Sequence, residues 1–362
     1  MKVIIAGGGT GGHIFPAVAI GHALQRLHPG SELLFVGAKG KMEMEKVPQE
    51  GFNIIGLDIA GFNRSNLLKN ITLPFKIWKS RRQAKNILQD FKPNAVVGVG
   101  GYASFPMLSA AQALGIPTLI QEQNSFAGKT NKLLGKKAKA VCVAYDGMEK
   151  FFPADKIEIT GNPVRAAIAR STITRSEGLE AFGLDEAKKT LLVVGGSLGA
   201  RSINEAIAAG IGKIASWNVQ LIWQTGKLFT EQAAAAVKDR QGMVASDFIR
   251  NMEYAYAAAD IVVSRAGALA SAELCIVGKP VIFVPYPFAA EDHQTSNALA
   301  LVATNAAMMV KDNDAATELI PKLDTLVHDH SMQQIMANNI VKHGIDNADD
   351  RIAKSVSNIA KR

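Results

Sequence analysis

Only two cysteines, Cys142 and Cys275, occur in 362 residues, and they form no CxxC pair. That excludes a disulfide-stapled scaffold and suits a reducing compartment. Long unbroken apolar runs are missing too. The longest charge-free stretch, residues 93–121, is interrupted by Gly98, Gly100, Gly101, Pro106, Gly115 and Pro117. It reads as strand, loop, helix and strand, not as a membrane span. Met1 and Lys2 precede only four apolar residues before Gly7, which is too few for a secretory signal. A soluble, cytoplasmic chain is expected, with membrane association left open. There is no HExxH, no phosphate-loop GK(S/T) and no GxSxG, so three common catalytic frameworks have no footing.

What is present is an ordinary globular mixture, 48% hydrophobic and 20% charged. The length suits two domains of about 150 residues each. The net charge of +8 is unevenly spread. Residues 1–160 carry 20 basic and 11 acidic side chains, and the remainder carries 20 and 21. The excess of the first half points to an anionic partner: a membrane surface, a phosphate-bearing ligand or nucleic acid.

Short apolar runs alternate with helix-patterned segments. Strands are expected at 2–6, 33–36, 53–57, 95–99, 118–121 and 140–144, and again at 190–194, 220–224, 261–264, 281–284 and 307–310. Several are continuous Val/Ile/Leu runs, as in strands buried on both faces of a parallel sheet. The pattern predicts two doubly wound α/β domains. An internal echo supports this. Residues 3–13, VIIAGGGTGGH, correspond to residues 191–201, LLVVGGSLGAR, at a constant offset of 188. Gly161-Asn162-Pro163 is a strong turn signal and marks the expected boundary. The terminal segment 349–362 is amphipathic, with Ile352, Val356 and Ile359 on one face, and could belong to either domain.

Glycine-rich turns that open helices present N–H groups and a positive dipole end to anions. Gly7–Gly12 also matches GxGxxG, yet the second strand ends Val36-Gly37-Ala38-Lys39 without the acid that a NAD site uses, which disfavours an oxidoreductase. A third glycine turn, residues 98–104, follows the fourth strand. Glu122-Gln123-Asn124 and Gly161–Arg165 fall on the same sheet edge, where open α/β sheets bind ligands. His13 follows the first loop at a helix start. The positive helix end disfavours imidazolium, so His13 is the candidate general base. His293 is a weaker candidate, and Asp312-Asn313-Asp314 has the DxD form of some metal sites but reads better as a turn and helix cap.

Taken in order, GGGTGGH (7–13), GVGGYAS (98–104), EQN (122–124), GNPVR (161–165), GGSLGAR (195–201), SRAGALASAE (264–273) and HQTSNA (293–298) resemble the MurG family of peptidoglycan N-acetylglucosaminyltransferases. The resemblance runs nearly end to end. It implies a GT-B fold: two Rossmann-like doubly wound parallel-sheet domains with a cleft between them. The domains would be 1–162 plus 346–362, on the acceptor and membrane side, and 163–345, on the donor side. It implies UDP-N-acetylglucosamine as donor and undecaprenyl-diphosphate-linked N-acetylmuramoyl-pentapeptide, lipid I, as acceptor. The product would be lipid II, formed with inversion and with no metal or other cofactor. His13 would be the base, with Glu122 its rival. Thr10, Gly11, Gly12, Asn124, Arg165, Ser197, Ile249, Glu273 and Gln294 would bind substrate. Gly100, Gly101, Tyr102, Ser104 and Glu122 would lie on the acceptor side. Cell-wall synthesis proteins are further partners that it admits. One departure is Phe105, where the family has glycine. Other readings are a different UDP-sugar enzyme of the fold, such as a glycolipid glycosyltransferase or a UDP-N-acetylglucosamine 2-epimerase, and a non-catalytic UDP-sugar sensor.

Residues 62–92 hold eight basic side chains and one acid, Asp90. Leu67, Leu68, Ile71, Phe75 and Trp78 are interleaved with Arg81, Arg82, Lys85 and their neighbours. Apolar insertion with basic contact suits a peripheral site on an anionic leaflet. The interleaving, and the lack of any nucleic-acid motif, argue against nucleic acid. With the family resemblance, the expected location is the cytoplasmic face of the bacterial inner membrane.

Overall fold

A computed structural model describes residues 1–59, 73–101, 103–196 and 199–361. The chain folds as two compact α/β units. The first contains Met1–Arg165 and Asn347–Arg362, and the second Ala166–Asp346.

In the first unit seven strands form one parallel sheet: β1 (Lys2–Ala6), β2 (Glu32–Ala38), β3 (Ile54–Leu57), β4 (Ala95–Gly98), β5 (Thr118–Glu122), β6 (Ala140–Val143) and β7 (Ile157–Ile159). Their order is β3-β2-β1-β4-β5-β6-β7. The apolar runs are continuous because both faces are buried. On β1, Val3 and Ile5 enter one core with Val97, Leu119 and Cys142. Ile4 and Ala6 enter the opposite core with Val96, Ile120 and Val141. This is the two-residue period of a strand covered by helices on both sides.

The terminal helix Ala348–Ala360 joins this unit and packs on the helix Gly11–Leu27. Ile352, Ala353, Val356 and Ile359 enter the first core. Arg26 donates to Asp349 at 2.8 Å and to Asp350 at 2.7 Å. Gly161–Arg165 also stays with the first unit, three residues beyond the expected boundary. The reason is Asn162, which is bonded to the end of β5 through Gln121.

The second unit repeats the plan with β8 (Lys189–Val194), β9 (Val219–Gln224), β10 (Met243–Ser246), β11 (Ile261–Ser264), β12 (Val281–Phe283) and β13 (Met308–Met309), ordered β10-β9-β8-β11-β12-β13. Leu191 and Val193 face one core, Leu192 and Val194 the other. In each sheet the strand order reverses beside the first strand, between β1 and β4 and between β8 and β11. These switch points are where open α/β sheets receive ligands, at the strands' carboxyl ends. Among the described residues no helix is long and apolar enough to cross a membrane.

Candidate functional site

The first switch point is built from two interlocked glycine turns. Gly7 N–H donates to Val36 O at 3.0 Å, and Gly8 N–H to Gly100 O at 3.3 Å. A Cβ on Gly101 would lie 2.1 Å from Gly8 O. The φ angles of Gly8, Gly100 and Gly101 are 141°, 94° and 84°, a region that L side chains avoid. Ser104 fastens the turns from below, donating to Ala6 O at 2.9 Å and to Gly100 O at 2.8 Å.

His13 lies in the first turn of the helix Gly11–Leu27, whose N-cap Thr10 makes no side-chain cap and which has no acid in its first turn. Its Nδ1 is 3.1 Å from Gly8 O and 3.3 Å from Thr10 Oγ1. A carbonyl can only accept, so Nδ1 carries a proton, and in the neutral ring the lone pair is on Nε2. The ring lies against Gly100, where a Cβ would come within 2.8 Å of Nε2. Glycine at 100 is therefore what admits the imidazole.

Two features around this site, the brace from Glu43 and the bonds made by Gln123, escape sequence reasoning. Glu43, 1% exposed, braces the first loop. One oxygen accepts Gly9 N–H at 2.8 Å and the other Ala38 N–H at 3.0 Å. Gln123, also buried, donates to Val99 O at 2.7 Å and to the Gln121 side chain. Gln121 in turn donates to Asn162 Oδ1 at 3.1 Å, and Asn162 to Gln123 O at 2.9 Å. EQN and GNPVR are thus one hydrogen-bonded assembly with the third glycine turn.

Glu122 is turned away from the rim position expected of it and is 2% exposed. Its carboxyl accepts Asn124 N–H at 3.1 Å, Gly128 N–H at 3.1 Å and Asn131 Nδ2 at 2.9 Å. Burial pushes its pKa above the ordinary carboxyl value, against the pull of these donors. Asn124 Nδ2 also donates to it, at 3.3 Å. Phe105 is accommodated because residue 105 is helical, within Ser104–Ala113, and its ring packs on the core. Tyr102 and Ser197 lie outside the described residues, as do Leu67, Leu68 and Ile71.

At the second switch point the loop after β8 opens the helix Arg201–Ser216, whose N-cap Ala200 offers no side-chain acceptor. Gly196 and Gly199 have φ of 81° and 79°, and a Cβ on Gly199 would lie 2.2 Å from Thr225 O. Gln224 was not foreseen. Its Nε2 donates to Gly196 O at 3.0 Å, and its Oε1 accepts Ile249 N–H at 3.1 Å. Glu273, 6% exposed in the helix Ala268–Val277, accepts Tyr256 OH at 3.1 Å. Gln294 accepts Tyr286 N–H at 2.9 Å, after two left-handed residues, Glu291 and Asp292. Arg165 is exposed at the end of the first unit's main segment. Asp312 of the DxD sequence is engaged by the Arg265 guanidinium and by Ser202 Oγ. Among the described residues no acid, histidine and cysteine cluster could hold a metal ion.

The helix Leu73–Phe91 displays the described part of the basic segment. Ser80, Ala84 and Leu88 are buried, whereas Arg81, Arg82 and Lys85 are exposed. Phe75 and Trp78 are 66% and 59% exposed, with stacked rings 6.1 Å apart.

Two parallel sheets, each with a glycine loop opening a helix at its switch point, define the architecture of the GT-B nucleotide-sugar transferases. Within that class the chain belongs to glycosyltransferase family 28: the family's N-terminal domain matches residues 3–143 and its C-terminal domain residues 190–352. It is 52% identical to the UDP-N-acetylglucosamine--N-acetylmuramyl-(pentapeptide) pyrophosphoryl-undecaprenol N-acetylglucosamine transferase of Phocaeicola vulgatus, over 100% of this chain and 97% of the relative. It is 50% identical to the protein of the same name from Porphyromonas gingivalis strain W83, over 100% and 96%. The solved structure of Acinetobacter baumannii MurG is similar at a TM-score of 0.81 and 32% identity, with 99% of both chains covered. A UDP-GlcNAc 2-epimerase from Neisseria meningitidis shares the fold, with a TM-score of 0.68, 17% identity, and 99% and 100% covered.

Proposed function

We infer that the chain is an inverting glycosyltransferase that moves N-acetylglucosamine from UDP-N-acetylglucosamine to the 4-hydroxyl of lipid I, forming lipid II for peptidoglycan. The observation that carries this reading is identity near one half, over the whole chain, to transferases named for that donor and acceptor.

The geometry supports a specific division of labour. His13 Nε2 takes the proton of the attacking hydroxyl. The hydroxyl oxygen bonds to the sugar C1 as the bond from C1 to the diphosphate oxygen breaks, and the electron pair leaves with UDP. The uncapped start of Arg201–Ser216 offers N–H groups to that charge, with Arg165 and Ser197 assigned as further donors. Glu273 has the ribose hydroxyls as its natural partners, and Gln294 is assigned to the donor. Ile249 N–H is held by Gln224, so a uracil contact falls to the Ile249 carbonyl. Thr10, Gly11, Gly12 and Asn124 face the sugar, while Gly100, Gly101, Tyr102 and Ser104 shape the acceptor side. Glu122, enclosed by its donors, orders the 123–128 turn and leaves the base role to His13.

Phe75, Trp78, Arg81, Arg82 and Lys85 suit docking on an anionic leaflet at the cytoplasmic face of the inner membrane, where a lipid-linked acceptor lies. Charge reversal at Arg81, Arg82 and Lys85 is expected to weaken sedimentation with anionic vesicles. Unchanged sedimentation would remove the docking surface from the proposal.

The central experiment follows UDP release from UDP-N-acetylglucosamine with and without a lipid I analogue. Release should require the acceptor, and His13→Ala should lower it by about 10²–10⁴ while donor binding survives. Release without acceptor would point to an epimerase or hydrolase. Donor binding without release under any condition would point to a sensor.

A further inference from the structure

A groove of about 630 Å³ runs over the second unit. Its apolar wall includes Ile168, Ile173, Ile276 and Val341, and its charged groups are Arg175, Lys279, Glu253 and Asp346. Lys279 is half-buried. Among the described residues it has no ion pair or hydrogen bond. Arg175 is engaged through Nη1, by the Glu186 carbonyl at 3.1 Å, and through Nη2, by Asp260 at 3.2 Å and the Lys188 carbonyl at 2.9 Å, which leaves its Nε without a bond among the described residues.

The charges that act on Lys279 are few. Burial is the main cause that pulls its ammonium below the ordinary lysine range; Asp260 opposes that pull, and the Arg175 cation adds to it. Asp260 is already bonded to Arg175 and accepts Thr190 N–H at 2.8 Å. Lys279 and Arg175 thus both act on Asp260, which is otherwise committed; Glu253 and Asp346 line the same groove without an ion pair to Lys279 among the described residues. A half-buried cation without a partner has lost part of its hydration, and an incoming anion offsets that loss. Cys275 contributes an inert wall here, because burial pushes its thiol up to about 12.

We propose that this groove is a binding site for a small amphipathic organic anion, its phosphate or carboxylate held by Lys279 and Arg175 and its apolar part laid on Ile173 and Ile276. The site is separate from both glycine loops. Residues 168–173 and 341–346 line it, and these stretches adjoin the two points where the chain passes between units. Tyr256, another lining residue, donates through its hydroxyl to Glu273.

The test uses the full chain labelled at isoleucine methyls and titrated separately with inorganic phosphate and phenyl phosphate. The signals of Ile173 and Ile276 should shift and saturate, with phenyl phosphate effective at lower concentration than phosphate. Lys279→Met should weaken phenyl phosphate by about tenfold or more, the effect of losing a charged hydrogen-bond partner. Lys279→Arg should retain most of the binding, which separates loss of charge from loss of fold. Shifts confined to Ile14 or Ile249 would mean anion binding at the glycine loops, and would overturn the proposal. So would equal affinity for the two probes, or undiminished binding by Lys279→Met with Ile173 and Ile276 still responding.

Discussion

In the first unit the loop after β1 is braced by a carboxylate, Glu43, which takes up the Gly9 N–H. In the second unit the loop after β8 is braced by an amide, Gln224, which takes up the Gly196 carbonyl. The backbones correspond at a constant offset, yet the braces have opposite consequences. A carboxylate beside a loop repels an anion and consumes a donor. An amide that donates to a carbonyl is neutral and itself consumes no loop N–H. The corresponding side chains diverge in the same sense. His13 folds back on Gly8 O, while Arg201 extends outward, 88% exposed, to Glu205. Under the proposed function, this difference suits one loop to a base and the other to a leaving diphosphate.

The sharpest way to break this comparison is to crowd each loop in turn. Gly101→Ala places a methyl against Gly8 O at a positive φ, and Gly199→Ala places one against Thr225 O. Left-handed backbone at a non-glycine residue alone costs about 1–2 kcal/mol, and the clash adds to it. Both variants should melt earlier. Gly101→Ala should lose turnover while calorimetry still detects UDP-N-acetylglucosamine; Gly199→Ala should lose donor binding itself. Equal loss of donor binding in both would mean that the loops are not divided as described.

Exchanging the braces is gentler. Gln224→Glu removes the donor to Gly196 O and sets negative charge beside the second loop, so donor affinity should fall about tenfold. Glu43→Gln leaves either Gly9 or Ala38 N–H without its acceptor, which costs about 1–3 kcal/mol of stability. It should leave donor affinity nearly unchanged. A matching fall in donor affinity would place diphosphate on the first loop as well.

The strands of both sheets were legible wherever burial on two faces wrote a continuous apolar run, though not their order in the sheet. Legibility failed at β7 and β10, which lie at sheet edges. Ile159 is 49% exposed on β7, and β10 is only partly covered, so neither spells such a run. The glycine turns and His13 were legible because a positive φ and an opening helix leave few residue choices. Glu43 was not. It stands two residues from Glu45 in an acidic helix start, and only the packing of that helix against Gly8 and Gly37 makes one carboxylate interior and the other exposed. The last residue of β9 reads as part of a strand, so Gln224 carried no sign of its two loop contacts. For Glu122 the strand position pointed to the rim, but Asn131, nine residues on, draws the side chain inward.

Glu122 yields the mildest test, and one confined to the first unit. Burial raises its folded pKa above the unfolded value. The unfolded chain therefore releases this proton at lower pH than the folded chain does. The protonated carboxyl's contribution to stability is complete below about pH 4.5 and is lost as pH rises through the higher folded value, with a slope of at most about 1.4 kcal/mol per pH unit for one proton. Urea unfolding of the wild type and Glu122→Gln, compared from pH 4 upward, isolates this group. The wild type should lose stability relative to the variant as pH rises, then run parallel to it. A constant difference would mean that the donors around Glu122 fully offset its burial. The acid-braced loops of the first unit would then carry no more titration energy than the amide-braced loop of the second.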